Sequence, residues 1–210
     1  MALQAFHPQR RSLIAILDYG SGNLRSAQRA FELTGKTVLI TSDPAVALEA
    51  DGLVVPGVGA FGACMEQLHA INGVELIQKR VADGGPTLGI CVGMQILFTS
   101  GVEKGNHSGV GIFEGEVSPI EAPVLPHIGW NSVTTAPDSV LLRGVEEESF
   151  YFVHSYAAKG EVAGAAISTA HYGESFIAAI ERDHVRATQF HPEKSGRAGA
   201  QLIQNWVTSL

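Results

Sequence analysis

Short apolar runs alternate with segments of helical period through the first half of the chain. Leu13-Ile14-Ala15-Ile16-Leu17 is apolar throughout and stops at Asp18, as a strand buried on both faces does. A turn, Asp18-Tyr19-Gly20-Ser21-Gly22-Asn23, leads into a predicted helix from about Leu24 to Leu33, closed by Gly35. Thr37–Thr41 and Gly52–Val55 read as the next two strands, the latter stopped by Pro56-Gly57. A helical stretch from about Cys64 to Ala82 follows, with a break near Gly73. Thr87–Ile90 is a further strand that runs directly into a helix from Val92 to about Thr99.

This alternation predicts an α/β fold, a doubly wound, mostly parallel sheet with helices on both faces. From Gly109 to Ala187 the texture changes to short, turn-separated strands at Gly111–Val117, Trp130–Thr134, Ser149–Ala157, Gly164–Thr169, Phe176–Glu181 and Ala187–Gln189. These predict an antiparallel portion added to the sheet. A last helix spans about Arg197 to Thr208. Neither a repeat nor a linker stands out. The expectation is one domain over residues 13–210, behind a disordered tail of residues 1–12.

Composition narrows the function classes. The 210 residues are 45% hydrophobic and 17% charged, below the roughly 25% charge of an average soluble protein. That fits a sheet covered on both faces, or a surface partly hidden by a partner. A net charge of −7, with no basic run longer than Arg10-Arg11, argues against a nucleic-acid partner or a polybasic membrane anchor. Leu13–Leu17 is too short for a signal peptide or for a membrane span, which needs about 20 apolar residues. Two cysteines, Cys64 and Cys91, do not make a disulfide scaffold, so a cytoplasmic location is expected. The eight histidines form no cluster with metal-ligand spacing, and neither a metal nor another cofactor is expected.

Three places carry chemistry. In Gly89-Ile90-Cys91-Val92-Gly93-Met94-Gln95 a cysteine sits where a buried strand turns into a helix. That is the geometry of a nucleophile elbow, which projects a side chain above the sheet edge beside the first amide of the helix, at Val92. A helix N-terminus also favours a thiolate. A free cysteine on its own is more often simply packed.

In Gln189-Phe190-His191-Pro192-Glu193 a candidate base and its orienting carboxylate follow the end of a strand. Pro192 favours an extended His191, which would put His191 and Glu193 on one side. Alone, the pair equally describes a surface histidine beside a solvated glutamate. In Val54-Val55-Pro56-Gly57-Val58-Gly59-Ala60-Phe61-Gly62 a strand opens into a glycine-rich loop whose amides suit a developing oxyanion. An ordinary strand-to-helix turn uses glycine as well.

Together, the cysteine motif and the later His191-Pro192-Glu193 resemble the triad-type (class I) glutamine amidotransferase family. Asp18–Leu24, Pro56–Phe61, Pro126-His127-Ile128-Gly129-Trp130-Asn131, Tyr151–Tyr156 and His191–Ser195 narrow the resemblance to the glutaminase subunits of imidazole glycerol phosphate synthase. It covers nearly the whole chain from about residue 13.

The resemblance implies that Cys91 attacks the glutamine carboxamide, His191 moves protons and Glu193 orients His191. It implies an oxyanion hole from the amides of Val92 and the Gly57-Val58 loop. It places Gln95, Glu103 and Ser155 against the substrate, and makes Asn23 and Tyr151 contact points for a partner. That partner is a (β/α)8-barrel cyclase subunit, paired as a heterodimer, which receives the ammonia for histidine biosynthesis. The resemblance also implies a glutaminase nearly silent until the partner binds its ligand, with an oxyanion loop that rearranges in response.

Departures are few. Val92 stands where leucine is commoner, Ser21 replaces a frequent methionine, and Ser100–Ser108 matches loosely. Rival readings are a glutaminase serving another synthase, a non-enzymatic module on this fold, and a thiol peptidase.

Overall fold

The structure, a computed structural model, describes residues 12–210. Of the predicted tail, only Ser12 is among them. Its carbonyl accepts from the Thr37 amide, so it belongs to the sheet margin. Residues 1–11 lie outside the described residues.

Strand β1 (Leu13–Leu17) is followed by helix α1 (Leu24–Glu32), β2 (Thr37–Thr41), α2 (Pro44–Glu49) and β3 (Gly52–Gly57). Next come α3 (Phe61–Ala70), α4 (Gly73–Ala82), β4 (Thr87–Cys91) and the one-turn helix α5 (Val92–Gln95). Strands β5 (Phe98–Gly101), β6 (His107–Ser108), β7 (Phe113–Pro119), β8 (His127–Ser132), β9 (Ser149–His154) and β10 (Tyr156–Ala158) follow. The chain continues through β11 (Ala166–Tyr172), β12 (Glu174–Arg182), β13 (Val185–Thr188), a 3-10 turn at Pro192–Lys194 and α6 (Gly196–Thr208).

The main sheet has the order β11-β12-β13-β4-β3-β1-β2. Its five strands from β13 to β2 are parallel, and β12 and β11 extend it antiparallel. β1, β3 and β4 are buried almost without interruption, which is why their sequences lack the alternation of a half-exposed strand. On one face α1 meets α6, where the Phe31 and Trp206 rings pack edge to face at 5.6 Å. On the other, buried Arg80 of α4 donates to the carbonyls of Ala47, Leu48, Ala50 and Pro86, tying the end of α2 to the start of β4.

Several boundaries differ from the sequence expectation. The strand stopped at Val55 continues through Pro56-Gly57, because β4 runs alongside it to the register pair Gly57–Cys91. The helix expected to reach Thr99 ends at Gln95, since Phe98 pairs with Phe113 of β7. The Cys64–Ala82 helix is two, α3 and α4, broken at Asn72 in left-handed backbone before Gly73. Helix α2 was not expected, although Asp43 caps the Ala45 amide and Pro44 fills the first turn. Only β11 and β12 form the antiparallel addition to the main sheet. β13 instead pairs parallel with β4, while β7 and β10 join the earlier β5 and β6 in a four-stranded sheet, β10-β7-β5-β6, and β8 and β9 form an antiparallel pair. The strand expected over Ser149–Ala157 is split at Ser155, where the chain passes from one small sheet to the other.

Candidate active site

Parallel strands bring their carboxyl ends to one edge, where open α/β sheets bind ligands. Here the register aligns Gly57 with Cys91 and Thr188 with Ile90, so the ends of β3, β4 and β13 meet side by side. Cys91 has φ 56° and ψ −116°, a left-handed conformation that costs a non-glycine residue of order 1–3 kcal/mol. Strain of that kind belongs to an elbow held by its surroundings. Gly93 makes the elbow possible. A Cβ there would lie 1.9 Å from the Val55 carbonyl oxygen, so only glycine lets the turn close onto β3. Because α5 is a single turn, its aligned dipole is smaller than the expected longer helix would supply.

His191 reaches the same edge from beyond β13. Its amide donates to the Tyr151 carbonyl at 2.9 Å. The Ser195 hydroxyl donates to the His191 carbonyl at 2.7 Å and accepts from the Tyr151 amide at 2.9 Å, fixing the turn against β9. His191 itself is extended, and the 3-10 turn that follows folds Glu193 back, placing its Oε1 2.8 Å from His191 Nδ1. Both side chains are almost fully buried. Burial alone would push the imidazole down, but the Cys91 sulfur and the Glu193 carboxylate outweigh it and hold His191 up at about 9. Nε2 has no hydrogen-bond partner among the described residues.

Cys91 and His191 open onto a cavity of about 470 Å³ whose walls include Val58, Val92, Gln95, Glu103 and Ser155. Every residue assigned by sequence to the substrate is therefore at one site. Glu103 accepts from the Phe61 amide at 2.9 Å, at the start of α3. Gly57 lies behind this wall, against a small void shared with Asn23, His191 and Glu193. The Val58 amide is turned away from the cavity and donates to Ser21 Oγ at 3.1 Å. Ser21 Oγ lies 2.9 Å from the Val58 carbonyl and 3.2 Å from the buried Cys64 sulfur, while the Tyr19 hydroxyl donates to the Pro56 carbonyl at 2.6 Å. The glycine-rich loop is thus clamped from the first turn of the chain.

Two site features escape sequence reasoning. Ser21 reads only as a departure from the family pattern, and nothing local signals that it meets a loop 37 positions away. Gln189 is fully buried with its amide nitrogen 3.9 Å from Cys91 Sγ, and although it stands in the motif that carries His191, its own residue type gives no sign of that contact.

A profile for the family described as "Glutamine amidotransferase class-I" matches residues 15–210. This chain belongs to that family. Imidazole glycerol phosphate synthase subunit HisH of Nocardia farcinica is 54% identical, with 95% of this chain and 99% of that protein covered. The protein of the same name from Corynebacterium diphtheriae is 53% identical, covering 94% and 99%. Among solved structures, a putative GMP synthase protein from Thermoplasma acidophilum superposes with a TM-score of 0.72 at 18% identity, covering 96% of this chain and 94% of that one. PurLQS from Thermotoga maritima gives 0.73 at 17% identity, covering 95% and 99%. These two similarities show a shared fold, and the edge of its sheet is where this chain gathers its cysteine, histidine and glutamate. No helix among the described residues is long and apolar enough to cross a membrane.

Proposed function

We propose that this amidotransferase is the glutaminase subunit of an imidazole glycerol phosphate synthase. The observation that carries the reading is the buried His191, placed between Glu193 and the cysteine of a strained elbow, in a chain matching HisH proteins along nearly its whole length. His191, its ring held up at about 9, is the base that takes the proton of the Cys91 thiol. The thiolate attacks the carboxamide carbon of glutamine. His191 gives its proton to the departing nitrogen, ammonia leaves, and a glutamyl thioester remains on Cys91. The now neutral His191 takes a proton from water as its oxygen attacks the thioester, and passes that proton to the departing sulfur as glutamate is released. Glu193 holds the ring through Nδ1 throughout.

The ammonia goes to a (β/α)8-barrel cyclase subunit, which makes imidazole glycerol phosphate and an aminoimidazole carboxamide ribotide. Exposed Ile128 and Trp130 on β8, beside the cavity-lining Pro126, give this heterodimer an apolar contact next to the site. Gln95, Glu103 and Ser155 hold the substrate, and no cofactor takes part. A net charge of −7 and two free cysteines fit a cytoplasmic enzyme without nucleic-acid or membrane partners.

Of the proposed oxyanion donors, the Val92 amide directly follows Cys91 at the start of α5, whereas the Val58 amide is held by Ser21 and must rotate. Replacing Ser21 with alanine removes that acceptor. The Ser21→Ala chain is therefore expected to hydrolyse glutamine several-fold faster than wild type when the cyclase is absent, in an assay of glutamate release. Unchanged basal turnover would mean that Ser21 does not restrain the loop.

The overall reading is tested by glutamate release from the chain alone and with a cyclase subunit plus its ribonucleotide ligand. Strong turnover only in the complete mixture supports it. Turnover that ignores the cyclase keeps the glutaminase chemistry and removes the partner.

A further inference from the structure

One hydrogen-bonded chain crosses from β8 to Cys91, and the chemistry of its groups fixes the donor at each link. His154 Nδ1 lies 3.0 Å from the Tyr156 carbonyl. A carbonyl only accepts, so Nδ1 carries the proton and the Nε2 of neutral His154 is bare. His127 Nδ1, 3.1 Å from that Nε2, must then be the donor. His127 Nε2 is bare in turn and faces Asn131 Nδ2 at 3.4 Å. Both rings are buried, and His127 is stacked between Tyr172 and Phe152 with centroids 4.1 and 5.0 Å away. Burial keeps both rings neutral, with His154 down at about 4.

Every N–H in this chain therefore points towards the Tyr156 carbonyl, which also receives Gln95 Nε2 at 2.8 Å. The second hydrogen of Gln95 Nε2 goes to Gln189 Oε1 at 3.0 Å, and Gln189 Nε2 faces Cys91 Sγ. With both hydrogens of its nitrogen taken, the Gln95 amide has one atom left, Oε1, which makes no hydrogen bond among the described residues. Gln95 lines the cavity.

We propose that Gln189 and His154 are positioning residues that lock the Gln95 amide with its carbonyl oxygen towards the cavity, making Gln95 an acceptor for an N–H group of the substrate. The assignment rests on the glutaminase reading above, since it is glutamine whose N–H groups are recognised. A reversed amide would present donors there and would favour an anionic ligand atom instead.

Two measurements on the chain paired with its cyclase subunit test this. In Gln189→Met and His154→Leu, one holder of the Gln95 nitrogen, or the ring that braces the Tyr156 carbonyl, is lost. KM for glutamine should rise roughly tenfold, the worth of one oriented hydrogen bond, with kcat changed by less than about threefold. His154→Asn keeps a donor at the Nδ1 position and should restore most of the loss, which a purely structural role for the ring would not predict. Imidazole ¹⁵N shifts of the wild-type protein, which need no variant to fold, should show His154 and His127 both as neutral Nδ1–H tautomers. An Nε2–H tautomer at His154 overturns the proposal, as does a fall in kcat at unchanged KM in both variants. A wild-type complex inactive on glutamine sinks the glutaminase reading. An active complex whose variants keep their KM sinks only this proposal.

Discussion

Glutamine hydrolysis by the Cys91→Ala chain, measured with the cyclase present, is expected to fall by about 10⁴-fold or more while the fold is retained. Alanine removes the one thiol among the described residues that line the cavity and leaves the left-handed backbone of the elbow no more strained than cysteine does. Its thermal transition should therefore stay close to wild type. A second readout separates loss of the sulfur from general damage. The Cys91 sulfur helps to hold His191 up at about 9 against burial, so removing it lets burial count for more and the ring titrates at lower pH. Because the folded pKa lies above the ordinary value near 6.5, charged His191 stabilises wild type fully below about pH 6.5. That contribution is lost as the pH rises through about 9. The Cys91→Ala chain should show a weaker decline in stability across this alkaline window, followed by urea midpoints at several pH values. Identical profiles for the two proteins would mean that sulfur and imidazole do not interact.

The second large effect is expected at Gly93, which touches no substrate. Alanine has the better helix propensity by about 1 kcal/mol, so in an isolated helix Gly93→Ala would stabilise. In the folded chain the new Cβ lies 1.9 Å from the Val55 carbonyl oxygen, an atom of the β3 backbone that cannot swing aside. Overpacking costs typically up to about 3 kcal/mol, and more against fixed backbone, so the clash wins. For a chain of this size, a net loss of about 2 kcal/mol lowers the melting temperature by roughly 4–8 °C. Activity should suffer further, because relief of the clash moves the Cys91 elbow away from β3. A Gly93→Ala chain as stable and as active as wild type would show that the two strands need not approach so closely.

What sequence can reveal follows from which interactions are local. β1 and β2 are legible to the residue because uninterrupted or nearly uninterrupted apolar runs end at clear turn signals. Helix α2 escapes notice because six residues are too few to display a helical period, even with Asp43 and Pro44 marking its start. Ile96, Leu97 and Phe98 are a short apolar run that suits a helix as well as a strand, and only the distant partner Phe113 makes Phe98 a strand residue. Ser155 interrupts what reads as one strand without a glycine or proline to announce it. The candidate site divides similarly. Cys91, His191 and Glu193 are legible because their two motifs, taken together, match the amidotransferase pattern, although each alone has an ordinary structural reading. The engagement of the Val58 amide by Ser21 and the orientation of Gln95 by Gln189 are not, since each depends on tertiary contacts across long stretches of chain.

The position of β13 has a consequence for how the enzyme comes into being. This late strand sits between β4 and β12, and His191 and Glu193 follow it directly. On a ribosome working from the N-terminus, the cysteine emerges well before the strand that must lie beside it. Until that strand inserts, the sheet has a gap next to β4 and neither His191 nor Glu193 is held beside Cys91. The segment from β13 to Glu193 thus closes the sheet and brings His191 and Glu193 to Cys91 together, so that sheet and candidate site are completed in one folding step.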